Sequence, residues 1–111
     1  MIQEKEIYGR IDRFVVSTLV FTRDIPQDVI NREIIKQLIR SCSSIGANAR
    51  EAQTAQTKKE FVRCFSISKR EGKETWYWLM LIFKLNPKIS VKINSLIQEA
   101  GELVAIISKI I

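Results

Sequence analysis

The chain contains no histidine. This removes His-based zinc sites, Ser-His and Cys-His nucleophile pairs and the usual general base at neutral pH, so no enzymatic activity is expected. Cysteine occurs twice, as Cys42 and Cys64, with no Cys-x-x-Cys or Cys/His spacing around either. Neither a disulfide framework nor a metal site follows, and two buried free thiols in a reducing cytosol are expected, with no metal and no cofactor. Long hydrophobic runs are missing too. The longest unbroken apolar stretch, residues 76–83, is far short of a membrane span, and the start, Met1-Ile2-Gln3-Glu4-Lys5-Glu6, has acids where a signal peptide needs a basic and then an apolar run. A cytoplasmic protein without membrane contact is the expectation.

At 111 residues, the chain has room for one domain, residues 1–111. A monomer of this size buries only about two-thirds of the surface of its unfolded chain, so surplus apolar surface points to partners. Lys and Arg exceed Asp and Glu by 18 to 12, a net charge of +6 that favours polyanions.

Proline and glycine are scarce, with two and four residues. Breakers therefore stand out: Asp24-Ile25-Pro26, Asn86-Pro87 with Asn86 suited to an N-cap, and the polar gap at 53–56 before Thr57-Lys58-Lys59-Glu60, a capping-box sequence. They divide the chain into helical segments at about 5–23, 27–54, 57–85 and 88–109. Each carries apolar or small residues at alternating spacings of four and three. Ile7, Ile11, Phe14, Thr18 and Phe21 mark the first, and Ile34, Leu38, Ser41, Ile45, Asn48 and Ala52 the second. Phe61, Phe65, Ser68, Gly72, Thr75, Leu79 and Ile82 mark the third, and Ile89, Ile93, Leu96, Ala100, Leu103, Ile107 and Ile110 the fourth. Four such seams predict an all-α, antiparallel up-and-down four-helix bundle. Folding the second segment back on the third sets Ile45 opposite Ser68 and Leu38 opposite Thr75, seam against seam. Ser41, Gly72 and Ala100 then share one layer, where backbones approach closely, a large residue such as Tyr8 or Trp76 fills the gap, or a ligand cavity opens.

Four groups of residues bear on function. Residues 76–83 are apolar around the whole helix circumference, whereas a bundle helix needs one apolar stripe; Trp76, Trp78, Leu81 and Phe83 are therefore candidates for an oligomer interface. Lys59, Arg63, Arg70, Lys73 and Tyr77 lie within roughly 40° of one outward direction, a stripe suited to phosphate with an aromatic at its end. Arg32, Lys36 and Arg50 form a sparser outward row on the second helix. On sequence alone a solvated basic face is the better account of both rows, helped by Arg70 and Glu74 at i, i+4 spacing, although Lys88 and Lys92 at a helix start oppose the macrodipole and need another reason. Arg40 and Glu71 flank the seam at about one level and suit a structural ion pair.

Gln37-Leu38-Ile39-Arg40-Ser41-Cys42-Ser43-Ser44-Ile45-Gly46-Ala47-Asn48-Ala49-Arg50-Glu51 resembles the Gln-Leu-x-Arg-Ser-x-x-Ser-Ile-x-Ala-Asn-x-x-Glu signature of the bacterial four-helix bundle proteins, some of them encoded in intervening sequences of large-subunit ribosomal RNA genes. The likeness continues through Lys59-Glu60-Phe61, Ser66-Ile67-Ser68-Lys69, Glu74-Thr75-Trp76-Tyr77-Trp78-Leu79 and Glu99-Ala100-Gly101-Glu102-Leu103, covering about residues 17–111. The resemblance implies a homopentameric barrel of bundles with no known catalysis, associated with nucleic acid by gene context and basic surface. A distant relative of that fold, the accessory variability protein of diversity-generating retroelements, partners a reverse transcriptase and its RNA. The chain departs from the signature at Glu51-Ala52, where Glu-Gly and a glycine/arginine-rich loop are common; its own loop at 53–56 is uncharged. Two functions are thus expected of the chain: binding of RNA or DNA, structured RNA foremost, or a protein-interaction scaffold recruiting a partner such as a reverse transcriptase.

Overall fold

Helix starts and stops follow local chemistry, with one exception at the last joint. The computed structural model describes the backbone of residues 2–111 and the side chains from Glu6 onward; most of the acidic start falls outside the described side chains. Helix α1 spans Ile2–Phe21 and runs into a 3-10 turn, Thr22–Asp24. Helix α2, Val29–Gln53, begins where the Asp28 carboxylate accepts from the Asn31 N–H at 2.8 Å. Helix α3, Lys58–Leu85, begins at Thr57, whose hydroxyl accepts from the Glu60 N–H at 3.1 Å, the forward half of a capping box. Helix α4, Lys92–Ile110, starts four residues later than the Asn-Pro pair predicts.

Asn86 is the reason for that difference. It closes α3 as a C-cap, its N–H donating to the Ile82 carbonyl at 3.0 Å, and does not open α4. Its side chain is held by Asn31 of α2 in a reciprocal amide pair: Asn31 Nδ2 donates to Asn86 Oδ1 at 2.8 Å, and Asn86 Nδ2 returns a bond to Asn31 Oδ1 at 3.1 Å. Asn31, 1% exposed, also donates to the Pro26 carbonyl, so one buried amide ties the α1–α2 connection to the end of α3. Pro87 belongs to the connecting turn, and the Ser90 hydroxyl accepts from the Lys92 N–H.

The helices pack as a ring, α1 on α2, α2 on α3, α3 on α4 and α4 back on α1, with no strand among the described residues. The molecule measures 45 × 22 × 18 Å, its long dimension close to the roughly 42 Å that the 28 residues of α3 span as a helix. The seam residues form the core. Ile11, Leu38, Ile45, Phe65, Leu79, Ile82, Ile93 and Ile107 are all at most 1% exposed, and burying a side chain of this size contributes about 1.5–3 kcal/mol. The mirrored register of α2 and α3 is visible in a hydrogen bond: Ser68 Oγ donates to the Ile45 carbonyl at 2.8 Å.

The layer of small residues is a close approach of helices. A methyl group placed on Gly72 would stand 2.9 Å from Val104 Cγ2 of α4, so the gap is already occupied by that neighbour. Ser41 and Thr75 pair their hydroxyls at 2.9 Å, with Thr75 donating on to the Glu71 carbonyl. Neither large side chain fills the layer. Trp76 is 39% exposed, and Tyr8 stacks on Phe65, ring centroids 5.8 Å apart.

Candidate nucleic-acid interface

The seam of α3 faces the core, so residues half a turn away must face solvent, and the basic row follows from that geometry. Lys59, Arg63, Arg70, Lys73 and Tyr77 are all exposed on this outward side, and the stretch from Lys59 to Lys73 is roughly 21 Å long at 1.5 Å per residue. Among the described residues neither Lys59 nor Lys73 meets an acid. Arg63 makes only a weak 3.7 Å contact to the Cys64 sulfur, and Arg70 reaches Glu71 only at 4.0 Å. The expected Arg70–Glu74 support does not form, because Glu74 is drawn across the α2–α3 seam to Arg40 and accepts from the Trp78 indole N–H at 3.1 Å. Lys84, seven residues beyond Tyr77 and exposed, prolongs the row; the heptad spacing contained that signal, and sequence reading passed over it.

The second row is differently placed. Lys36 sits 3.5 Å from Glu33, and Arg32 donates to the Gln27 carbonyl at 3.0 Å. Arg50 is taken up by Asp12 of α1 and by Gln53, with its guanidinium carbon 5.9 Å from the centre of the Tyr8 ring. The three cations of this row thus have intramolecular partners, Arg32 only a neutral carbonyl, whereas Lys59, Arg63 and Lys73 of the α3 row meet no acid among the described residues. Asp12 lies 38 residues from Arg50, a separation at which no spacing rule operates.

Arg40 and Glu71 meet at 3.2 Å, with Glu71 buried and Arg40 half-exposed and also held by Glu74 and Gln37. No nucleophile converges there. Burial pushes the Cys42 thiol up to about 12, the nearby Thr18 hydroxyl offsetting part of the effect, so Cys42 is protonated and unreactive at neutral pH. No group of His, Cys, Asp or Glu among the described residues is arranged to hold a metal ion, and no described helix is long and apolar enough to cross a membrane.

The apolar turns at 76–83 divide by direction. Leu79 and Ile82 are core, Trp78 and Leu81 are half-buried against it, and Trp76 and Phe83 remain 39% and 40% exposed. Trp76 borders an open hollow of about 220 Å³ with Lys73, Gly101 and Val104, between α3 and α4. Trp76 thus adjoins the basic row at Lys73, and Phe83 lies two turns farther along the same helix.

These features define a class: an all-helical up-and-down bundle with a basic outer row and no catalytic constellation among the described residues. The sequence profile of the 23S rRNA-intervening sequence proteins matches residues 3–109, and the chain belongs to that family. A solved structure with the same architecture, a protein of unknown function from the S23 ribosomal protein family of Bacteroides thetaiotaomicron, is 26% identical, with a TM-score of 0.86 over 96% of each chain. Comparison with curated proteins finds no match.

Proposed function

We propose that the chain is a non-enzymatic homo-oligomer, a pentamer foremost, that binds nucleic acid in the bacterial cytoplasm through the outward row of α3. Structured RNA is the favoured ligand, in keeping with the ribosomal RNA in the family's name. The observation that carries this reading is that Lys59, Arg63 and Lys73 meet no acid among the described residues and Arg70 reaches only Glu71, at 4.0 Å, whereas Lys36 and Arg50 of α2 pair with Glu33 and Asp12. The resemblance stated above supports the oligomer, and the exposed Trp76 and Phe83 supply an apolar surface for it.

Contacts of this kind go to phosphate. Binding is therefore weakly sequence-selective and falls steeply with salt as counterions are released. The test is retention of RNA and DNA on the purified protein across a salt series. Arg63→Ala with Arg70→Ala is expected to weaken all sequences alike and to flatten the log–log salt slope by roughly 0.7–0.9 per lost contact on each engaged subunit. Absence of retention at low salt leaves α3 a solvated face, and the reading becomes a scaffold that recruits a protein partner such as a reverse transcriptase.

A further inference from the structure

We infer that the end of the bundle carrying Val29, Ile30 and Leu85 is a docking surface for a second copy of this chain, the two copies related by a twofold axis. At this end α2 begins, α3 stops and α4 begins. Such connections face water and are ordinarily polar. Here they hold four of the five most exposed large apolar side chains among the described residues, Val29, Ile30, Leu85 and Val91, each at least 50% exposed. No hydrophobic staple accounts for Val29 and Ile30. The two positions that a staple would join around the Asp28 cap are Gln27 and Arg32, and Arg32 donates to the Gln27 carbonyl instead.

The shape of this end is self-complementary. Leu85 borders two hollows at once, one of about 340 Å³ beside Val29 and Ile30 and one of about 440 Å³ walled by Pro26, Pro87 and Ile89. A protruding pair and an apolar recess therefore stand side by side on one face. A twofold axis beside Leu85 sets the Ile30 of each copy into the recess of the other, the reciprocity that an isologous contact requires. The face is also preformed. The Asn31–Asn86 amide pair, with Asn31 buried, ties the start of α2 to the end of α3, so the segments carrying Ile30 and Leu85 are held in place and little order is lost when they are covered.

Charge selects the occupant. The molecule carries +6, so two copies repel over most of their surface. At this end the balance differs: the first hollow is bordered by Asp28, and the second by Asp24 and Lys88. Lys88 is exposed and has no ion-pair partner among the described residues. The axis that seats Ile30 in the recess also brings Lys88 of one copy to the partner's Asp28. A face of mixed sign suits neither a polyanion nor a partner strongly charged in either sense. Leu85 leaves α3 roughly 200° from Phe83, so the surface is separate from the side on which Trp76 and Phe83 stand and does not rest on nucleic-acid binding. With a cross-section of 22 × 18 Å, the end offers less than the roughly 800 Å² a side of a standard interface, and the pair is a weak, concentration-dependent one.

The test is sedimentation velocity of the full chain from micromolar to millimolar concentration. The expected result is a species of twice the mass of the one present at micromolar concentration, whatever the size of the latter. Ile30→Gln and Leu85→Gln, neutral changes at exposed sites, should each weaken the doubling at least tenfold while leaving the micromolar species and the helical circular dichroism unchanged. Lys88→Glu should abolish it by facing the partner's Asp28, and adding Asp28→Asn, which keeps a capping oxygen, should restore it in part. Trp76→Gln with Phe83→Gln should leave the doubling intact, so failure here is separable from failure of the assembly proposed above. Absence of doubling in the parent overturns the inference and assigns the apolar end to another partner. Doubling that survives both Ile30→Gln and Leu85→Gln, or a Lys88→Glu defect indifferent to Asp28→Asn, overturns it as well.

Discussion

Gly72 and Gly101 lie on neighbouring helices, and one added methyl group is expected to move stability in opposite directions at the two positions. At Gly72 the new Cβ would stand 2.9 Å from Val104 Cγ2, a short, stiff side chain, and overpacking of that kind costs about 1–3 kcal/mol against the roughly 1 kcal/mol that alanine gains in a helix. Gly72→Ala should therefore destabilise by on the order of 1 kcal/mol. At Gly101 nothing lies within 4 Å, so Gly101→Ala should stabilise by about 0.5–1 kcal/mol. Urea denaturation of both variants at one protein concentration tests the pair; stabilisation by Gly72→Ala would mean that Val104 gives way. Cys42 makes a prediction of a different kind. Its folded thiol titrates near 12, above the ordinary 9.0, because burial disfavours the thiolate. An acid whose pKa rises on folding contributes stability that is fully present below the unfolded value and is lost as pH climbs through the folded one. The contribution of Cys42 should accordingly fade between about pH 9 and 12, and Cys42→Ala should show a flatter stability profile over that window. Native-state alkylation at neutral pH should leave Cys42 unmodified until denaturant is added.

At the scale of elements, the seams were legible because a helix that must bury one stripe repeats it every three or four residues, and nothing local competed with that pattern. Ile7, Ile11, Phe14, Thr18 and Phe21 are all buried, as are Leu38, Ser41 and Ile45 opposite them in α2. The same periodicity located the outward row of α3, since a face opposite a known seam is determined once the seam is. What escaped the sequence was pairing between distant side chains. Arg10 and Glu99 are 89 residues apart, and Asn86 resembled a helix start because its partnership with Asn31, 55 residues away, has no local signature. That partnership is testable. Asn86→Ala leaves the buried Asn31 amide without its reciprocal partner and should destabilise by about 1–3 kcal/mol. Thr57→Ala removes an exposed cap and should cost about 1 kcal/mol, the smaller loss because water can replace the hydroxyl. Equal losses in thermal or urea melts would show that the Asn31–Asn86 pair adds nothing beyond an ordinary cap.

At the scale of the whole molecule, the proposed assembly and the proposed polyanion binding depend on one another. One subunit offers a single row of cations on α3, Lys59, Arg63 and Lys73 among them without an acid partner among the described residues, a weak field in physiological salt, where the Debye length is about 8 Å. A ring repeats that row, and linked weak sites gain affinity by factors of about 10²–10⁴ without any new contact. Of the four interface candidates on α3, Trp76 and Phe83 are the exposed ones, since Trp78 and Leu81 are half-buried against the core and their replacement would disturb packing before association. Trp76→Gln with Phe83→Gln removes the exposed Trp and Phe of this stretch while leaving the net charge at +6, so any change in polyanion affinity reports on assembly and not on a new repulsion. The double variant is expected to scatter light as a 12.8 kDa monomer, to keep its helical circular dichroism, and to bind RNA at least a hundredfold more weakly than the parent. A monomer that retains full RNA affinity would show that a single row is sufficient and that the ring adds nothing to binding. A variant that still assembles would move the interface away from this face of α3, and a variant that unfolds would make Trp76 and Phe83 part of the core despite their exposure.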